Sequence, residues 1–226
     1  IVAYFDGLDG HPGDLVLAPE PPTHLSVKNI GAGSLRVAWQ ASPTDAVGLR
    51  GDAASAYHVT TSADGFAWGA PITVAGTETV LTGLSDGETR YVKVTSINSG
   101  GESFPTEVLG ARVGDAALLI VSAFDKLNRF GLVYENDPVM HENLRMWVDQ
   151  MNSYDYVVQH GQAVPADYAW DSASNEAVIA GSVTLGAYDV VDWILGEETA
   201  SVDGTFNSTE RALVDAYLAQ DRALMV

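Results

Sequence analysis

The chain has 226 residues, 46% of them hydrophobic, enough for one large domain or two modest ones, each with its own core. Thirty acidic residues against eleven basic ones give a formal charge of −19, a field that repels phosphate backbones and argues against a nucleic-acid partner. There is no cysteine, which removes disulfides, thiolate metal sites and any cysteine nucleophile from these residues, and no apolar window reaches the ~18 residues of a membrane span.

The opening residues, 1–20, read as the tail of a preceding domain and a linker. Ile1 to Phe5 has the look of an element's end, and Asp6-Gly7-Leu8-Asp9-Gly10 is turn punctuation. Pro19, Pro21 and Pro22 stiffen the end of the linker. The first residue is Ile1, not Met, so the chain is expected to be a mature, trimmed or excised piece.

From Pro22 a strand rhythm begins. Leu25 and Val27 alternate with polar residues, and Leu35, Val37 and Trp39 repeat the period of two after a Gly31-Ala32-Gly33-Ser34 turn. Tyr57, Val59 and Thr61 mark the next strand, short strands come at 72–75 and 79–84, and Asp86-Gly87 turns the chain into Tyr91 to Ile97. Residues 103–113 close a set of seven, the count of a β-sandwich. A Tyr at the start of a strand after such a corner is expected to bury its ring and return its hydroxyl to the corner backbone.

After Gly114 the pattern changes. Ala117 to Val121 is a continuous apolar run, as in a strand buried on both faces. Asp137-Pro138 predicts a helix start, and Met140, Leu144, Trp147, Val148 and Met151 give it an apolar stripe. Tyr154 to Val158 is expected as a second strand, Ser174 to Ala180 as a short helix and Tyr188 to Leu195 as a third strand. Asn207 with Glu210 three residues on predicts a capped helix, and Ala223 to Val226 a fourth strand. Strands alternating with helices imply an open parallel α/β sheet, and a last strand with no helix after it reads as an unfinished domain.

Two resemblances attach to these residues. Pro22, Leu25, Val37, Trp39, Tyr57, Leu84, Gly87, Tyr91 and Asn98 resemble a fibronectin type III domain over about 21–113, which implies an all-β sandwich able to fold alone and serves equally as spacer, adhesive unit or enzyme appendage. Asp171 to Val178, Tyr188 to Trp193 and Ile194 to Thr199 resemble the glutamine-amidotransferase-like domain that comes after such a module in secreted bacterial proteins labelled xanthan lyase or golvesin-like, some with a zinc-dependent muramoyl-alanine amidase upstream. That resemblance implies a flavodoxin-like sheet over 114–226, incomplete at its C-terminus. The sequence departs from it at Gln220-Asp221-Arg222, where a Gly-Gly helix stop is usual, and in lacking the cysteine nucleophile of true glutamine amidotransferases.

Candidate sites are few. Arg50-Gly51-Asp52 is the integrin-binding tripeptide, but it falls between the second and third strands and reads as an ordinary polar loop. Asn207-Ser208-Thr209 fits the glycosylation pattern and equally the helix cap. His141-Glu142 has Arg145 where a zincin would have its second His. No phosphate-binding loop or Gly-x-Ser-x-Gly elbow occurs. The best cluster lies where open α/β sheets bind ligands, after the carboxyl ends of strands. Asp125, Glu197 and Glu198 are the candidates for a divalent cation, and His160, Asp171, Asn175 and Glu176 for a ligand crevice. Against this stands the reading of Glu197 and Glu198 as solvated and of Asp171 and Glu176 as helix-capping residues. No catalytic residue and no cofactor beyond that cation is assigned. The whole is expected to be a non-catalytic accessory or cell-surface module of a larger secreted protein, with carbohydrate or a cell-wall component and its own neighbouring domains as partners. The alternative is a fragment of a polysaccharide- or peptidoglycan-degrading enzyme.

Overall fold

A computed structural model describes residues 16–44, 51–125, 152–196 and 205–226, together with the backbone course of 133–137 and 141–145. The strands are β1 (Thr23–Asn29), β2 (Leu35–Gln40), β3 (Ala56–Ser62), β4 (Ile72–Val74), β5 (Glu78–Leu81), β6 (Thr89–Asn98), β7 (Gly101–Glu102) and β8 (Leu109–Arg112) in the first half. The second half holds β9 (Leu118–Ser122), β10 (Val133–Asp137), β11 (His141–Arg145), α1 (Tyr156–Ala163), β12 (Trp170–Ser174), α2 (Asn175–Ile179), β13 (Val190–Ile194), α3 (Ser208–Leu218) and β14 (Ala223–Met225).

The first half is a β-sandwich. One sheet runs β5-β2-β1 and the other β4-β3-β6-β8, all antiparallel. The alternation read from the sequence is the alternation observed: Leu35, Val37 and Trp39 face inward while Arg36 and Gln40 face solvent. Trp39 and Tyr91 are both buried, and the Trp39 ring meets Tyr57 edge-on at 5.3 Å.

In the second half four strands pair in parallel in the order β14-β13-β9-β12. Leu119, Val121, Val191 and Trp193 point to one face, which α2 and α3 cover with Ala177, Val178, Val214 and Tyr217. Ile120 and Ile194 point to the other, where α1 packs with Val157 and Val158. Both faces are thus apolar, which is why β9 reads as an unbroken hydrophobic run.

The two halves are one sheet. The far edge of β12 is shared between the two sheets of the sandwich: Trp170 sits opposite Arg112 of β8, and Ser172 and Ala173 sit opposite Val27 and Ser26 of β1. One strand of the second half therefore covers an edge of each sandwich sheet, an arrangement that leaves neither β1 nor β8 open for pairing there. Trp170 is fully buried in the sandwich core, 6.0 Å from Tyr91.

β12 corrects the expected strand order. The second strand is not 154–158, which instead opens α1, but 170–174, a stretch whose polar residues read as loop and helix start. Tyr156-Val157-Val158 has strand propensity, but as a helix it buries Val157, Val158 and Gly161 together on one side, and tertiary packing overrides propensity. Gly161 is required there, because a Cβ would fall 2.4 Å from the Trp170 ring. Two polar side chains of β12 are satisfied, Asp171 by Asn29 and Tyr188 and Ser172 by both backbone groups of Gly110, whereas the buried Trp170 indole N–H has no hydrogen-bond partner among the described residues.

The helix expected from Pro138 is overturned over its described part. Residues 141–145 are β11, paired antiparallel with β10 from Val133↔Arg145 to Asp137↔His141. Asp137 precedes a proline, which disfavours the helical region for it and favours extended backbone. The remainder of that expected helix lies outside the described residues. The Tyr91 hydroxyl is also redirected: it donates to the Val158 carbonyl of α1 at 3.3 Å rather than to the corner. The predicted α2, β13, α3 and β14 are all present, and Asn207 and Glu210 form the full capping box.

Candidate functional site

The carboxyl ends of β9 and β12 open into a crevice of about 920 Å³, whose opposite wall is the sandwich. Asp125, just past β9, and Glu176, in the first turn of α2, come from the second half. Glu107, from the segment leading into β8, comes from the first. Burial pushes the Glu107 carboxyl up to about 8, and the carboxylates of Glu176 and Asp125 add to the rise. Trp68, Phe104 and Tyr154 supply aromatic wall. Phe104 is 84% exposed, and Phe66, beside Gly65 of the same wall, is 67% exposed. The one lysine among the described residues of the crevice, Lys93, holds its ammonium 4.2 Å from the centre of the Trp68 ring.

The expected site residues divide among three places. Asp125, expected after the first strand, and Glu176, expected at a helix start, lie together in the crevice. Asn175 lies behind it, donating from Nδ2 to Asp125 Oδ2 at 3.2 Å and to Glu210 Oε1 at 3.1 Å. Asp171 is elsewhere. It is buried within β12, where its Oδ1 accepts from the Asn29 backbone and side chain at 2.8 Å each and its Oδ2 accepts from the Tyr188 hydroxyl at 2.8 Å. Burial raises the Asp171 carboxyl and pushes the Tyr188 hydroxyl far above its usual range. This is a joint between the halves rather than part of a crevice. Glu197 and Glu198 lie outside the described residues. Among the described residues no group of three or more His, Asp or Glu is arranged to hold a metal ion.

His160, expected just after a strand, sits instead in α1, at the other end of the sheet. Its Nδ1 meets Asp192 Oδ2 at 2.6 Å, and that hydrogen bond raises the imidazole above its ordinary value. The pair borders a second groove of about 790 Å³, walled mainly by apolar groups of Leu118, Val164, Val190 and Met225. Sequence reading misses this pair because Asp192 occupies a mid-strand position and His160 a helix with the composition of a strand.

Asp52 of the integrin-type tripeptide accepts from the Leu17 backbone at 2.8 Å, so its carboxylate is turned to the chain's own linker; Arg50 lies outside the described residues. The Asn207 side chain accepts from the backbone of Thr209 and Glu210, the capping role. No described helix is long and apolar enough to cross a membrane.

The sequence signature of the fibronectin type III domain family matches residues 20–112. Among solved structures, domains A168–A170 of titin align at 22% identity over 40% of this chain and 30% of that one, with a TM-score of 0.35. The sixth fibronectin type III domain of human fibronectin type III domain containing protein 3 aligns at 18% over 41% and 83%, TM-score 0.36. The FN5 domain of Drosophila Lar aligns at 16% over 42% and 97%, TM-score 0.32. The chain thus spans less than a third of the titin chain it matches. Comparison with curated proteins returns no match. The matched signature, the seven-strand sandwich and the buried Trp39 and Tyr91 agree: residues 20–112 are a fibronectin type III domain.

Proposed function

We propose that this chain is a non-catalytic accessory or cell-surface interaction module of a larger secreted bacterial protein. In this reading the fibronectin type III domain is joined through β12 to the first strands of a glutamine-amidotransferase-like, flavodoxin-like sheet. The strand order β14-β13-β9-β12, with helices on both faces, supports that reading of the second half. Fibronectin type III domains commonly serve as accessory or interaction units.

The observation that carries the non-catalytic role is where the polar side chains go. Asp171 is held by Asn29 and Tyr188, and Asn175 by Asp125 and Glu210. These groups fasten the two halves and the loops of the sheet to one another. What remains open is a surface: a crevice walled by both halves, with aromatic rings at its rim. The enzyme-fragment alternative draws its support from the His160–Asp192 pair, which has the geometry of an oriented base.

Incubation of the purified chain with xanthan and with peptidoglycan sacculi tests both readings. The expected result is binding without release of soluble product. Turnover that disappears in His160→Asn overturns the accessory reading and establishes the enzyme.

A further inference from the structure

The crevice has a chemical preference that goes beyond a general interaction role. Its walls combine carboxylates from both halves, Glu107, Asp125, Asp155 and Glu176, with the rings of Trp68 and Phe104. Lys93 is its only basic residue among those described, and its ammonium already rests on the Trp68 face. Aromatic faces and carboxylates are the two groups that attract an alkylammonium, the first by the ring quadrupole and the second by charge. The surrounding chain, at −19, raises the local concentration of cations. Phe104 in the wall adds exposed apolar area, and Phe66, next in sequence to Gly65 of the same wall, stands in solvent as well.

We propose that this crevice docks a basic polypeptide segment, a lysine side chain reaching the Glu107, Asp125 and Glu176 carboxylates while apolar neighbours of that lysine lie on the exposed Phe104 ring. This rests on the interaction-module reading and names its partner class. A polypeptide fits better than a free amine for two reasons. The space of about 920 Å³ exceeds what one ammonium group fills, and the exposed Phe104 ring offers apolar contact that a bare ammonium does not use. Burial is the main cause of the raised Glu107 carboxyl, with Glu176 and Asp125 adding to it; an ammonium placed beside Glu107 favours its carboxylate form, so binding releases a proton near neutral pH.

The test uses the full 226-residue chain and a fluorescein-labelled peptide of alternating lysine and leucine, at ~0.15 M ionic strength so that the diffuse field is screened. Its lysine-acetylated counterpart is the control. The expected result is saturable binding of the lysine peptide and about tenfold weaker binding of the acetylated one. Glu176→Gln and the exposed Phe104→Ala each weaken binding several-fold, and calorimetry in two buffers of different ionisation enthalpy shows proton release. Phe104→Ala guards against misfolding, since that ring is in solvent. Equal binding by the chain and both variants, or none, overturns the proposal. Spermidine competing as well as the peptide overturns the polypeptide assignment. Binding of a cell-wall oligosaccharide with no binding of the peptide overturns this proposal and leaves the interaction-module reading standing, whereas substrate turnover overturns the module reading itself.

Discussion

The sandwich and the parallel sheet bury their residues by different rules, and the contrast explains how they come to share one core. In the sandwich strands such as β2 and β3 hide mainly alternate residues, so each sheet keeps a solvent face, while β8, against the seam, is buried throughout. In the parallel sheet β9 and β13 hide nearly every residue, so the sheet needs cover on both faces. α2 and α3 cover one face from within the second half. The other is covered by α1 and, beyond it, by the sandwich itself, whose cluster includes Val157, Val158, Trp170 and Ile194. In return β12 covers an edge of each sandwich sheet. A boundary at residue 113 divides the sequence cleanly but does not divide the packing.

The largest test of that contrast is excision. Residues 21–113 alone lose Trp170 from the floor of the core, along with Val157 and Val158. Truncating a buried Trp typically costs about 3–5 kcal/mol, which for a domain near one hundred residues corresponds to a midpoint lower by on the order of 15 °C or more. The excised sandwich is expected to keep its β-type circular dichroism and to melt well below the full chain. Equal melting temperatures would restore two independent domains.

A smaller perturbation addresses one residue at the seam. Arg112, at the end of β8, is buried, and its guanidinium donates to the carbonyls of Gly161, Val164, Pro165 and Tyr168, with Nε reaching Thr89 Oγ1 at 3.2 Å. Carbonyls at the end of α1 have no partner within the helix, and this one side chain supplies them. Arg112→Met removes the donors and leaves the buried Gly161 carbonyl without one, while Val164, Pro165 and Tyr168 lie on half-buried or exposed residues, a loss on the order of 2 kcal/mol. Chemical denaturation should show it as one shifted transition, since the sandwich and α1 unfold together. Two separated transitions would mean that Arg112 merely links units that fold apart.

Legibility in the sequence obeys the same division. The alternation of Leu35, Val37 and Trp39, and the cap Asn207 with Glu210, are local signals, and the structure keeps both. β12 is hidden because Trp-Asp-Ser-Ala-Ser carries the composition of a loop. Its strand character comes from partners far along the chain: Asn29, Gly110 and Tyr188. α1 is hidden because Tyr156-Val157-Val158 favours a strand until Trp170 offers a surface. In the crevice, Asp125 is legible as a residue that comes after a strand and Glu176 as part of a helix start. Glu107 is not, because it belongs to the sandwich, and its proximity to the other two depends on how β12 docks.

Glu107 also gives the smallest prediction, one that probes the seam by proton rather than by mutation. Its carboxyl is held up to about 8 against an ordinary value of 4.5, so the folded chain keeps a proton that the unfolded chain releases. Stability from this group is therefore present below about 4.5 and is lost as pH rises toward about 8. His160, raised by Asp192, and Asp171, raised by burial, act in the same direction: each favours the protonated fold and loses that advantage as pH climbs through its raised value. The chain should be more stable at mildly acidic pH than in mild alkali. Glu107→Gln keeps the shape and removes the ionisation, so it should stabilise the chain at pH 8 by on the order of 1 kcal/mol, discounted for the crevice's contact with solvent, and leave stability near pH 5 almost unchanged. Urea unfolding of both proteins across that range measures it. If wild type and Glu107→Gln show parallel pH profiles, Glu107 is not buried in the crevice as described.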